Sequence, residues 1–92
     1  MNEMKKAVVS VLGNDQRGII AKVTKILYEH DVNIMDISQT IVDGYFNMMM
    51  IVDAGKVDDV TRMSKELSVL GEEIGVVIHF QHEDIFNMMH RI

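Results

Sequence analysis

The feature that most constrains this chain is the dipeptide Asp43-Gly44, set between two runs that each read as a strand. Asp-Gly suits the positive φ angles of a two-residue hairpin, whose twist matches that of the strands it joins. The flanking runs are VNIMDISQTIV, residues 32–42, and YFNMMMIV, residues 45–52. Rich in β-branched and large apolar residues, they must be antiparallel neighbours. The alternation of the first run is imperfect. Ile34 and Ile37 are three apart, which places them on opposite faces of a strand unless a bulge intervenes.

On each side of this hairpin the period changes. Ile19, Ile20, Val23, Ile26 and Leu27 recur at the three-and-four spacing of one helical face, predicting a helix over 18–30 that ends at His30-Asp31. Lys22, Lys25 and Glu29 fall largely on its other side. Val57, Val60, Met63, Leu67, Leu70 and Ile74 predict a second helix over 56–74, with Asp58 and Asp59 where the helix dipole favours acids. Residues 5–12 and 76–82 read as the first and fourth strands, short and β-branched. Ile85, Phe86, Met89 and Ile92 suggest a short amphipathic helix at the C-terminal end.

The order is therefore β-α-β-β-α-β with a terminal helix. This is an α+β, ferredoxin-like βαββαβ arrangement, a four-stranded antiparallel sheet with two helices on one face. A sheet face left to water should alternate cleanly between apolar and polar residues. Here both parities are apolar: Val9 and Val11 against Val8 and Leu12, Met48 and Met50 against Met49 and Ile51, Ile78 and Phe80 against Val77. The expectation is that another chain, or the terminal helix, covers the second face or an edge.

At 92 residues the chain is expected to be one domain, 1–92, and its 48% hydrophobic content supports a real core. It holds no apolar run long enough to span a bilayer, and its start, MNEMKK, does not read as a signal peptide. With no cysteine, disulfides and thiolate chemistry are excluded, and a cytoplasmic setting is expected. A net charge of −5 argues against direct nucleic-acid binding, which needs a basic stripe; Lys5, Lys6, Lys22 and Lys25 are the only basic grouping.

The stretch GNDQRGIIAKV, residues 13–23, puts two glycines and four polar or charged residues between a strand and a helix. The first turn of a helix leaves four backbone N–H groups unpaired, with a partial positive charge. Gly18 has no side chain to block those donors, so a ligand carboxylate could be received there. Asn14 or Asp15 could accept from an α-ammonium. The alternative is that Asp15 only caps the helix and the glycines supply turn dihedrals.

Other residues offer less. Met48, Met49 and Met50 alternate faces in a strand and suit packing rather than a metal. His79 and His82 point to opposite faces; with Glu83, Asp84 and His90 they make no convergent metal set, and none is assigned. Asp36, in an apolar strand, either faces solvent or pairs with Arg17 or a lysine. No nucleophile–base pair is recognisable, and no enzyme activity is expected.

Three segments carry a resemblance: VSVLGNDQRGIIA (9–21), VNIMDISQT (32–40) and FNMMM (46–50). They are similar to those of ACT domains, and more narrowly of small stand-alone bacterial and archaeal ACT-domain proteins related to the glycine cleavage system transcriptional repressor. The resemblance spans nearly the whole chain and leaves no segment for a fused catalytic domain. It implies a module, usually dimeric, that binds amino acids or other small molecules between the first strand–helix loop of one subunit and the second strand of its neighbour. Carried over by position, it implicates Asn14, Asp15, Gly18 and Ile19 on one side and Asn33, Ile34 and Met35 on the other. The ligand itself does not transfer with the fold. The expected function is regulatory binding of an amino acid or similar metabolite by a homodimer that signals to a protein partner, with no cofactor, nucleic acid or membrane involved. The alternative is a protein-interaction module with no small ligand.

Overall fold

A computed structural model of the protein describes residues 5–14 and 18–82. The elements run β1 (Lys6–Asn14), α1 (Ile19–Glu29), β2 (Asn33–Val42), β3 (Tyr45–Asp53), α2 (Val60–Ile74) and β4 (Val76–His82). The four strands form one antiparallel sheet in the order β2-β3-β1-β4. The expected terminal helix at 83–92 lies outside the described residues, as does Asp15.

The Asp43-Gly44 turn forms as the dipeptide dictates, with φ of 53° and 83°. Both central residues of a type I′ turn need positive φ, and the pair supplies them. The imperfect alternation of β2 also has its explanation. Ile34 pairs with Val52 but Asp36 pairs with Ile51, so Met35 is the extra residue of a bulge. The bulge returns Ile34 and Ile37 to the same face, the one that carries Val52 and Met50. Asp36 faces solvent there, its Oδ1 accepting the N–H of Ile37 at 2.9 Å.

Two strand faces emerge from the register. Ala7, Val9 and Val11 of β1 lie beside Phe46, Met48, Met50 and Val52 of β3 on the face that the helices cover. Ile19, Val23 and Leu27 of α1 and Met63, Leu67 and Leu70 of α2 pack down onto this face, and nearly all of these side chains are fully buried. Each such aliphatic or Met side chain contributes about 1.5–3 kcal/mol relative to exposure. The apolar spacing predicted this stripe, with one difference: Ile20 lies on the rim of α1 and is 37% exposed.

The helix starts differ from expectation. α2 begins at Val60, later than residue 56, because Asp59 is its N-cap and accepts the N–H of Arg62 at 2.9 Å. α1 begins at Ile19, and β1 continues through Gly13 and Asn14. Gly13 therefore does not serve as a turn residue. It sits in the strand opposite Val76, and a Cβ placed on it would lie 2.5 Å from Val76 Cγ1. Close approach of β4, rather than backbone freedom, accounts for this glycine.

Candidate functional site

The first half of the candidate site is the junction of β1 and α1. The N-cap of α1 is Gly18, with φ 83° and ψ 0°, and it has no side chain with which to cap. The first helical hydrogen bond runs from Lys22 N–H to Gly18 O at 3.0 Å. The N–H groups of Ile19, Ile20 and Ala21 precede it in the first turn, and among the described residues no acceptor meets them. Gly18 and Asn14 are exposed, whereas the Ile19 side chain is buried in the core. Ile19 can therefore offer a ligand only its backbone.

The second half is the start of β2. Asn33 is exposed, Ile34 is half-buried against the core, and Met35 projects from the bulge. Two clefts share Tyr28, Val32 and Asn33 in their walls. One, about 410 Å³, is lined by Tyr28, Asp31, Val32, Asn33, Asp53 and Lys56. The other, about 550 Å³, runs along α1 past Ala21, Thr24 and Lys25 to Ile34. Both fall in the size range of small-molecule sites. Asp53 is held in place, since its Oδ1 accepts the N–H groups of Lys5 at 3.1 Å and Gly55 at 2.9 Å. Asp31 takes a positive φ of 62° as the chain leaves α1.

Tyr28, Asp53 and Lys56 were not singled out from the sequence. Tyr28 carries the one available signal, an aromatic on the polar side of an amphipathic helix, and it is 82% exposed. Asp53 and Lys56 join it only because β3 ends level with the start of β2, a tertiary fact with no local signature.

The two halves do not meet within one chain. Asn14 is level with Tyr45 and Val42 at one end of the sheet; Asn33 is level with Asp53 and Lys6 at the other. The eight steps from Tyr45 to Asp53 span about 27 Å. Away from both halves, His79 faces the side of the sheet that neither α1 nor α2 covers while His82 faces the side they do cover, edge-on to Phe80 at 5.6 Å between ring centroids.

The ACT domain family profile matches residues 5–81. A UPF0237 protein of Bifidobacterium longum is 56% identical over 90 residues, 97% of this chain and all of that protein. Among solved structures, an ACT domain protein from Streptococcus pneumoniae superposes with a TM-score of 0.79 at 38% identity, covering 91% of this chain and 96% of that one. The fold also matches a protein assigned as a glycine cleavage system transcriptional repressor, with a TM-score of 0.71 at 20% identity over 86% of this chain and 45% of that one. The βαββαβ sheet and the matching family profile define the class, and the chain belongs to the ACT domain family. No helix among the described residues is long and apolar enough to cross a membrane.

Proposed function

We propose that the protein is a regulatory module in which two copies bind an amino acid or similar small metabolite between them and relay its presence to a protein partner. The observation that carries this reading is the register. β2 is an edge strand, almost wholly exposed, and Ile37, Ile41 and Val42 stand out along it. An exposed apolar edge is a template for pairing with another chain.

If two β2 edges pair antiparallel about a twofold axis, Val42 of one copy falls opposite Asn33 of the other. Asn14 is level with Val42 through Tyr45. The loop half of one copy then comes level with the β2 half of its partner, about 15 Å away across three strand spacings. A zwitterion held at the loop half places its carboxylate on the N–H groups after Gly18 and its ammonium near Asn14 or Asp15, with its side chain directed toward the partner subunit. Asn33, Ile34 and Met35 of the partner subunit close the other side. The whole chain, 1–92, acts as this single unit in the cytoplasm, without catalysis or cofactor, and its net charge of −5 keeps it off nucleic acid.

Thermal-shift screening against free amino acids tests the reading. A ligand at 100 times its Kd raises stability by about 2.7 kcal/mol. The shift is expected to disappear in Asn33→Ala and in an Ile37→Lys/Ile41→Lys variant that blocks the edge. Equal binding by a monomeric edge variant would overturn the shared site. A stable dimer that answers to no amino acid or related carboxylate would favour the second reading, an interaction module without a ligand, for which the exposed apolar edge also speaks.

A further inference from the structure

We propose that the outer edge of β4 is the docking strand for the protein partner, and that it takes an extended segment whose alternate side chains are acidic. This rests on the reading of the chain as a module with such a partner, and it holds with or without a small ligand. Among the described residues β4 ends the sheet order and pairs with β1 alone. Antiparallel strands turn the N–H and C=O of alternate residues to opposite sides, so every second residue of Val76–His82 presents both groups away from β1. Bulges, prolines and charged side chains commonly blunt such an edge. β4 has none of these: its register with β1 is unbroken, and it holds no proline, carboxylate, lysine or arginine.

The occupant follows from what lies beside that edge. On its helix side a cleft of about 460 Å³ opens between α2 and β4, walled by Thr61, Ser64, Lys65 and Ser68 of α2 and by Phe80 and His82 of β4. No carboxylate lines it, although the chain carries −5 overall. Both ion pairs among the described residues use Glu66, and Lys65 enters neither. Its ammonium and the three hydroxyls are therefore a local set of donors on an otherwise acidic molecule. A strand added to β4 sets every second side chain on the helix side, about 7 Å apart, above this cleft. A carboxylate there meets the ammonium and the hydroxyls, whereas a lysine meets a like charge. Main-chain hydrogen bonds supply the affinity of such strand addition, and the cleft selects the side chain. Another copy's β4 brings histidines and no carboxylate, so this edge does not select a second copy.

Amide hydrogen exchange on the full-length chain, followed by NMR, tests this with acetylated, amidated nonapeptides carrying Val at odd positions and Glu, Ser or Lys at even ones. In the free protein the β4 amides that face away from β1 are expected to exchange roughly ten-fold faster than those bonded to it. The Glu peptide is expected to slow them, and to bind roughly ten-fold more tightly than the Ser or Lys peptide despite the chain's own negative charge. Lys65→Glu, at an exposed position of α2, reverses the order of the Glu and Lys peptides. The amino-acid thermal shift measured beside it is expected to be the same in Lys65→Glu and wild type. A chain that answers to no amino acid, yet protects β4 when the Glu peptide binds, supports this proposal and removes only the ligand. Absence of protection by the Glu peptide overturns the proposal, as does a peptide order that Lys65→Glu leaves unchanged. Outward amides already protected in the free chain also overturn it. Protection lost on dilution would give the edge to a second copy, and protection lost in Glu83→Ser/Asp84→Ser would give it to the C-terminal segment.

Discussion

Gly18 shows how one backbone angle separates structural from functional roles. Among the described residues, its chain neighbours aside, no heavy atom lies within 4 Å of where its Cβ would be. Its φ of 83° is the obstacle, since a β-branched residue in the left-handed region costs on the order of 1–3 kcal/mol. Gly18→Val is therefore expected to lower the melting temperature as well as shield the helix donors. It cannot by itself distinguish a site from a cap. Gly18→Asn is the sharper probe, because Asn tolerates this region and still covers the donors. A near-native melting curve with ligand affinity reduced at least ten-fold is the expected calorimetric result; unchanged affinity would remove the junction from the site. Gly13 gives the contrasting case. Gly13→Ala pushes a methyl group into Val76 across the β1–β4 pair and is expected to cost about 1–3 kcal/mol, read from denaturant unfolding, with no direct contact to any ligand.

At the scale of elements, legibility followed how local the cause was. The hairpin was readable because Asp43 and Gly44 alone determine the turn, and Gly44→Val is expected to cost about 1 kcal/mol or more. The helix faces were readable because packing against one sheet face selects a 3.6-residue period. The bulge was half readable: Ile34 and Ile37 showed that something must shift, and only pairing with β3 located it at Met35. Gly13 was misleading, since its neighbour across the sheet is 63 residues away in sequence. The same holds for the link between the helices, where His30 Nε2 lies 3.1 Å from Glu66 Oε1, and Arg62 Nε lies 3.2 Å from Oε2. The hydrogen bond with His30, aided by its charge and that of Arg62, lowers the Glu66 pKa below the ordinary carboxylate value. A lowered carboxylate pKa contributes stability above the unfolded-state pKa, and that stability is lost as pH falls through the folded value. Melting temperature followed from pH 6 to pH 3 should accordingly fall further in wild type than in Glu66→Gln; parallel curves would show the contact to be without consequence.

The candidate site is legible only at the scale of the assembly. From one chain Asn14 and the residues 33–35 look unrelated, being at opposite ends of the sheet. No periodicity or motif in a sequence records which residues face one another across a twofold axis. In the proposed dimer, ligand binding and subunit association are a single linked equilibrium. If a ligand contacts two copies, it binds the dimer and not the monomer, so it must tighten dimerisation by the same factor by which dimerisation tightens its own binding. The melting temperature of the free protein is then expected to rise with protein concentration, and the ligand-induced shift to be largest near the dimer dissociation constant. A ten-fold increase in affinity of association on saturation corresponds to about 1.4 kcal/mol, well within reach of sedimentation equilibrium. Ile37→Lys/Ile41→Lys should flatten the concentration dependence and abolish the ligand shift together, because both depend on the β2 edge. A variant that loses one and keeps the other would show that the two halves belong to separate sites, with the loop at Gly18 binding alone.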